Sequence, residues 1–470
     1  MSKPISQKKQ EIEAVRQLEL MRFMLRTQRL LADGGEMDIR DIERGFRDAA
    51  LRDGDAAFRH FLAMLEPSAP ECPECRVMLK KLSMRTKTVV SLMGSGELER
   101  GYYECPNGHG HFIPCDDIAG LGGTSFTPGV KYAVSKLASA GSFEWTSETL
   151  AEIAGIYVSP KESQRISEAA GEAIESKNKW RIEAAMQPVP PSRNGDDCAA
   201  PIVPIASTMY IEYDGTGIPM TGKALDGRSG KQADGSAKTR EVKLGCIFTQ
   251  TAFDEKGHPV RDDKSTSYVG AIENSESFGW RIFAEASRRN LFAYKRVIVL
   301  GDGAKWLWCV ADLHFPDAIQ IIDLYHAKEH LHGLIRAIFP DRESQDKATE
   351  EWIELLEAGK IEELVSKMCA VGSLDEEQTD KVSTESNYFA SNADRMRYKK
   401  FKDMGLFVGS GVIEAGCKTV IGRRLKQSGM FWSLNGANAI VALRCADLSC
   451  NEDIYDYFEP ESRFAQQTVS

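Results

Sequence analysis

The order of apolar segments after residue 204 constrains the fold more than any other feature of this sequence. Three strand-like runs come first: TMYIEYDG, EVKLGCIFTQTAF and TSYVGAI. A helical pattern follows at 277–290, then the apolar strand RVIVLGDG, a helix near 303–313, and the strand AIQIIDLYH. This alternation of strands and helices predicts an α/β domain.

Three strands, a helix, a strand, a helix and a strand is the order of a ribonuclease-H-like fold, in which the first and fourth strands are neighbours. Asp214 follows the first strand and Asp302 follows the fourth. A single Asp-Gly after a strand is usually a turn. Two carboxylates at one sheet edge, however, repel each other unless a cation neutralises them, and Mg²⁺ prefers such oxygen ligands. Glu414, in GSGVIEAGCK, begins a helix that could bring a third carboxylate to this edge.

A cysteine cluster lies between residues 67 and 118. Cys72 and Cys75 form a C-x-x-C pair, and Cys105 opens the run CPNGHGH after short β-like segments. Two such knuckles around a hairpin predict a zinc ribbon with a structural Zn²⁺, the alternative being unrelated cysteine pairs. The second knuckle has no second cysteine. The candidates for the fourth ligand are His109, which we favour, and then His111 or Cys115.

The region 128–180 is helical in pattern. Within it, LAEIAGIYVSPKESQRISEAAGEAI places a glycine-containing turn between two helices, with Ser159 as the N-cap and Pro160 at the first helical position. This arrangement is compatible with a helix-turn-helix, although most two-helix stretches bind no nucleic acid. The proline-rich stretch 187–204 is typical of a linker.

The net charge of −10 argues against a nucleic-acid partner for the chain as a whole. Basic residues are nevertheless concentrated at 76–88 and 395–402, and no Asp or Glu occurs between Ala415 and Ala446. Either these runs are solvated faces or they bind anions locally. The candidate phosphate-binding residues after Glu414 are Lys418, Arg423, Arg424 and Lys426.

No apolar run approaches the roughly 18–20 residues that span a bilayer, so we expect no membrane association. The start of the chain, MSKPISQKKQ, has no apolar segment typical of a secretory signal. We therefore expect a cytoplasmic protein, which would be nucleoid-associated if it binds DNA.

The run HAKEH, from His326 to His330, matches the inverted zinc-protease motif H-x-x-E-H. That motif requires a position in the middle of a helix and a further downstream glutamate. Here the predicted position is a junction between a strand and a helix, so a metalloprotease is disfavoured.

The motifs DGTG, LGDGAKW, DLYHAKEH and GSGVIEAGCKTVIGRRLKQSGMFW, in this order, resemble those of DDE transposases of bacterial insertion sequences. The specific resemblance is to the Kra-type group, related to Mutator-like transposases. It implies that Asp214, Asp302 and Glu414 are the metal-binding triad. It also implies that Asp323 and His326 are an Asp-x-x-His pair near the site, which either positions the site or contacts DNA. The alternative is a buried polar pair that orders the strand end.

The resemblance implies an enzyme that cleaves and transfers DNA strands at terminal inverted repeats with two Mg²⁺ ions, for which Mn²⁺ can substitute. Its partners would be double-stranded repeat and target DNA. The protein would be at least a dimer on DNA, with a helix at 5–33 as one contact. The alternatives are a non-catalytic DNA-binding regulator and a metal-dependent nuclease without strand transfer.

The expected organisation combines these modules. The segments are an N-terminal helical region (1–66), a zinc-ribbon-like module (67–118), a helix-turn-helix-like DNA-binding region (119–186), a linker (187–204), a ribonuclease-H-like catalytic domain (205–446) with a helical insertion at about 327–400, and a C-terminal tail (447–470).

Overall fold

The computed structural model describes residues 38–187, 205–230, 237–372, 374–450 and 454–458, with residues 21–22, 24–29 and 32. Residues 21–22, 24–29 and 32 are helical, whereas the rest of the predicted 5–33 helix and most of the predicted linker lie outside the described residues. The chain forms two compact units, Met1–Ala170 with Ile454–Ser470, and Gly171–Asp453. None of the described helices combines the length and the apolar character that crossing a membrane requires.

The first unit contains helices and a small antiparallel sheet. Its elements are α1 (Ile39–Met64), β1 (Lys80–Ser91), β2 (Gly94–Glu104), β3 (His111–Phe112), α2 (Pro114–Ile118), α3 (Pro128–Ala140), α4 (Phe143–Thr149) with a π-helical turn (Leu150–Ala154), and the first part of α5 (Pro160–Met186). A 3₁₀ helix, Ile454–Phe458, also belongs to this unit. In the sheet β2 pairs with both β1 and β3, as expected for the hairpin of a ribbon module.

The predicted turn between two helices is present. Gly155 has a φ of 68°, a left-handed conformation that glycine adopts without steric cost. The Ser159 hydroxyl accepts a hydrogen bond from the Glu162 N–H at 3.2 Å, and α5 begins at Pro160. The residue types of the turn therefore fix where α4 ends and α5 starts.

The second unit is built around a mixed sheet. Its strands are β4 (Ile205–Pro219), β5 (Thr239–Gln250), β6 (Ala252–Phe253), β7 (Pro259–Val260), β8 (Ser267–Ala271), β9 (Tyr294–Gly301) and β10 (Ile319–Ile322). The helices among them are α6 (Gly222–Leu225), α7 (Ser275–Arg288) and α8 (Lys305–His314), with a 3₁₀ turn at Leu291–Ala293.

The five-stranded sheet has the order β10-β9-β4-β5-β8. β9 and β10 run parallel to β4, whereas β5 and β8 are antiparallel to their neighbours. Parallel neighbours require crossover connections, which α7 and α8 provide. β4 lies at the centre of the sheet, and, as predicted, the first and fourth of these five strands are neighbours.

A mostly helical segment separates β10 from the last part of the unit. Its helices are α9 (Leu324–Ile338), α10 (Arg342–Glu357), α11 (Ile361–Cys369), α12 (Glu376–Ser391), a 3₁₀ turn (Ala393–Met396) and α13 (Tyr398–Asp403). These helices occupy the region, about 327–400, for which a helical insertion was predicted. The chain then forms α14 (Gly411–Gly416), a π-helical stretch (Cys417–Gly422), α15 (Arg423–Leu425) and α16 (Leu434–Leu448).

Candidate functional site

Asp214 and Asp302 lie at one edge of the sheet. Pairing of β4 with β9 extends to Glu212 opposite Leu300, and β9 ends at Gly301, so continuation of this register brings Asp302 beside Asp214. Burial raises the pKa of Asp214; the Gly215 N–H lowers it, and the charge of Asp302 raises it again. The structure therefore brings together the two carboxylates that the sequence placed after separate strands.

The sequence predicted that Asp214 follows the end of its strand, and this prediction was wrong. β4 continues to Pro219 because it keeps pairing with β5 after β9 has ended. What ends near Asp214 is the pairing with β9, which frees that side of β4 for other contacts.

One face of β4 carries four side chains that contact the segment 407–426 in the same chain order. The hydrogen-bonded pairs are Tyr210 Oη with the Phe407 N–H (3.2 Å), Glu212 Oε2 with the Ile413 N–H (2.9 Å), Asp214 Oδ2 with the Cys417 thiol (3.7 Å) and Thr216 Oγ1 with Lys426 Nζ (2.5 Å). The segment thus follows β4 along its length.

This course fixes the position of Glu414. The residue comes directly after Ile413, which contacts Glu212, and one helical turn before Cys417, which contacts Asp214. Its side chain is exposed, and its charge adds to the effects that raise the pKa of Glu212 and of Cys417. Glu414 therefore lies in the first helix of a segment that packs along the β4 face that bears Asp214.

Glu212 is a site residue that the sequence reasoning missed. It is fully buried, and burial raises the pKa of its carboxyl group to about 8, against the Ile413 N–H, which lowers it. The signal was present in TMYIEYDG, because a glutamate inside an apolar strand is seldom buried without a specific partner.

Asp323 and His326 lie at a helix start, not on the strand. β10 ends at Ile322, and Asp323 is the N-cap of α9, where its Oδ1 accepts the His326 N–H at 2.7 Å. Its Oδ2 accepts the N–H of Ser410, and the residue is almost fully buried. These contacts agree with the alternative in which the pair orders the chain locally.

The two histidines of HAKEH pack onto the helical insertion. The rings of His326 and His330 lie 4.9 Å apart, and His330 stacks on Tyr388 of α12 at 4.3 Å. His330 Nδ1 is 2.8 Å from Glu385 Oε2. Tyr388 in turn lies against Gly303, where an added Cβ would be 2.3 Å from the tyrosine ring. The motif thus supports the loop that follows Asp302.

The basic residues after Glu414 separate into two groups. Lys418, Arg423 and Lys426 have exposed side chains, and we call them the basic trio. Arg424 is fully buried over the Trp432 ring at 5.0 Å, and burial, with the charge of Arg444, lowers its pKa to about 10. Arg424 therefore does not present its guanidinium group to a ligand at the surface.

The cysteine cluster of the first unit is compact. Cys72, Cys75, Cys105 and His109 hold their ligand atoms within 4.8 Å of one another. Cys75 Sγ and Cys105 Sγ are 3.6 Å apart, and His109 Nδ1 is 3.5 Å from Cys105 Sγ and 3.7 Å from Cys72 Sγ. Zn–S bonds of about 2.3 Å and Zn–N bonds of about 2.0–2.1 Å give tetrahedral edges of about 3.8 and 3.6 Å. The four side chains therefore fit a zinc ion.

The other two candidates for the fourth ligand lie elsewhere. The His111 ring stacks on Tyr102 with centroids 5.1 Å apart, and Cys115 donates to the Leu62 carbonyl in a separate buried cluster. The thiols of the cluster raise the pKa of His109 to about 9, with Cys72 contributing most. The structure thus selects His109, the first choice from the sequence.

Among the described residues, that cluster is the only group of three or more such ligands held within 4.8 Å of one another. The carboxylates of Asp214, Asp302 and Glu414 are therefore not gathered as tightly. Like charges repel, so a cation is needed to bring such carboxylates closer together. The donor set, two neighbouring carboxylates and a third on an adjoining helix, still fits Mg²⁺, which binds carboxylates and keeps several waters.

No protein-family model matches the chain. It is 24% identical over 364 residues to the "UPF0236 protein in vanSb 3'region" of Streptococcus gallolyticus, covering 74% of this chain and 70% of that protein. Among solved structures it is similar to the Drosophila P element transposase strand transfer complex, with a TM-score of 0.24 and 9% identity over 72% of this chain and 81% of that one.

Proposed function

We propose that this protein is a DDE-type transposase of an insertion sequence, in the Kra-type group, which cleaves and transfers DNA strands at terminal inverted repeats. The observation that carries the proposal is the nearness of Asp214 and Asp302 where the pairing of β4 with β9 ends, together with the position of the helix that bears Glu414. Asp214 and Asp302 are neighbours across β4 and β9, and the helix bearing Glu414 packs along the same face.

The strand order supports a ribonuclease-H-like fold for the second unit. Its five strands, numbered along the chain, lie in the order 3-2-1-4-5, and only the second runs against the others. In such a sheet the carboxyl ends of the first and fourth strands meet, so residues following them share one edge. Asp302 follows the fourth strand, and Asp214 lies within the first strand just after its pairing with the fourth ends.

Asp214, Asp302 and Glu414 would hold two divalent cations, Mg²⁺ or Mn²⁺. Bound there, the ions would activate the attacking oxygen and stabilise the leaving oxygen of an in-line displacement at phosphorus. The chain itself supplies the ligands and their spacing. Burial raises the pKa of Asp214, and a bound cation would offset the cost of its buried charge.

DNA would be held by residues on both units. The basic trio is exposed on the segment that bears Glu414, where its charges would bind phosphates beside the reacting one. In the first unit, the zinc-ribbon-like module and the helix-turn-helix-like pair α4 and α5 would read the terminal repeats. Pairing two DNA ends would require at least a dimer.

The test is cleavage and joining of a labelled terminal-repeat oligonucleotide by the full chain with Mg²⁺ or Mn²⁺. Asp214→Asn, Asp302→Asn and Glu414→Gln should each abolish both reactions while leaving thermal melting and DNA binding in place. Asp317→Asn, the same change at an exposed position of the second unit, serves as the matched control.

Each other outcome identifies a different protein. Cleavage without joining would indicate a nuclease, and sequence-specific binding without cleavage would indicate a regulator. An Asp302→Asn chain that cuts at the wild-type rate would remove the catalytic assignment.

A further inference from the structure

The residues that deliver Glu414 to the sheet edge have no assigned role in the reaction. Glu414 lies on a short helix, and its side chain is exposed, so its own contacts do not fix where its carboxylate points. Something else must hold the segment that precedes it against β4.

Two buried carboxyl groups contact this segment. Glu212 Oε2 accepts the Ile413 N–H at 2.9 Å, and Asp323 Oδ2 accepts the Ser410 N–H. Glu212 is 0% exposed and Asp323 is 1% exposed. Carboxyl groups are seldom buried this deeply. Each of these two accepts a hydrogen bond from a main-chain N–H, and the two donor residues are three positions apart in the sequence.

These donors are the ones that a helix start leaves without internal partners. Ser410 is the N-cap of α14, and Ile413 belongs to its first turn. Helix caps usually come from the capping residue's own side chain, but Ser410 makes no such bond. Side chains from β4 and from the start of α9 take over that function.

We propose that Glu212 and Asp323 are positioning residues that hold the start of α14 and so set the place of Glu414 beside Asp214. Glu212 is two residues before Asp214 on the same face of β4, so the strand that carries one carboxylate also sets the position of the other. Asp323 holds Ser410, the residue just before α14. The backbone hydrogen bond from the Leu324 N–H to the Val408 carbonyl, at 2.9 Å, holds the same part of the chain.

This role rests on the proposed function, because it concerns the geometry of the same reaction. The direct readout is therefore hydrogen–deuterium exchange of the peptide covering residues 408–416 in the full chain, which needs no catalysis. Glu212→Met removes the acceptor at nearly the same side-chain size, and Glu212→Gln keeps a carbonyl acceptor.

In Glu212→Met we expect exchange in 408–416 to rise roughly tenfold or more, because a buried N–H loses its partner. A β9 peptide should exchange as in the wild type. DNA cleavage should need a higher Mg²⁺ concentration and have a lower maximal rate. Glu212→Gln should restore protection and most of the activity, which a purely packing role would not predict.

Asp323→Leu provides the second measurement if Glu212→Met does not fold. It removes both acceptor oxygens at nearly the same side-chain size, so 408–416 should again lose protection. Unchanged exchange in 408–416 for either folded variant overturns the positioning role. If the wild type does not cleave DNA but the exchange result holds, the proposed function fails and the positioning of this segment stands.

Discussion

Removal of His109 tests the metal cluster of the first unit most sharply. Three of the distances between ligand atoms are 3.5–3.7 Å, which match the edges of a tetrahedral site with three thiolates and one imidazole. Structural Zn²⁺ in small modules binds with an apparent free energy of roughly 10–16 kcal/mol. If each of the four ligands contributes a quarter of this free energy, removal of one costs about 2.5–4 kcal/mol. The affinity for Zn²⁺ then falls on the order of a hundred- to a thousandfold.

The assay is zinc content of freshly purified protein, followed by competition with a metal indicator of known affinity. Wild-type chain should hold about one zinc ion. His109→Ala should lose affinity by the factor above but retain some binding through the thiolates. A Cys72→Ser/Cys75→Ser double variant should hold none.

His111→Ala is the matched control, because its ring stacks on Tyr102 outside the cluster. It should bind zinc as the wild type does. Loss of zinc in His111→Ala with full retention in His109→Ala would refute the ligand assignment. Absence of zinc from the wild type would refute the site itself.

Three further predictions follow from close packing and exposed charges. Gly303→Ala should destabilise the second unit by about 1–3 kcal/mol in a thermal or urea melt, since the new Cβ meets the stacked Tyr388 ring, and Tyr388→Ala in the same chain should relieve part of that cost. Gly171→Ala should cost at least as much, because its Cβ would lie 2.0 Å from a backbone oxygen, whereas Gly333→Ala, also in a helix but in open space, should be neutral or stabilising by up to about 1 kcal/mol. Replacing the basic trio by alanine should weaken DNA binding and reduce its salt dependence by about 0.9 in logarithmic slope for each phosphate that the variant no longer neutralises, and an unchanged slope would show that the trio binds no phosphate.

The sequence could predict those features that depend on local pattern. Strand order followed from apolar runs and their spacing, and the meeting of Asp214 with Asp302 followed from that order. The grouping of His109 with the three cysteines followed from its closeness to Cys105 along the chain. In each case the residue type and its neighbours in sequence carry enough information.

Features that depend on burial could not be predicted in this way. Arg423 and Arg424 are adjacent and chemically identical, yet Arg423 is exposed and Arg424 is buried over the Trp432 ring. A helical pattern of 3.6 residues per turn also fails over Cys417–Gly422, where the π-helical stretch shifts each side chain around the axis. Only the packed structure decides which basic residues face outward.

The hydrogen bonds of Asp323 and Leu324 explain how a long helical insertion can separate Asp302 from Glu414 in the sequence. The insertion starts at α9 and returns to the sheet before Ser410, and Asp323, at its first end, binds Ser410 at its second. Leu324 and Val408 are joined by a backbone hydrogen bond at the same point. The two ends are fixed to each other, so the intervening helices form a closed loop. A longer loop adds little closure entropy, and its length does not change the position of Glu414. The insertion reaches the edge again through Tyr388, which packs against the loop after Asp302. Changes within α10 or α11 should therefore alter stability without altering the positions of the carboxylates, whereas changes at either fixed end should alter both.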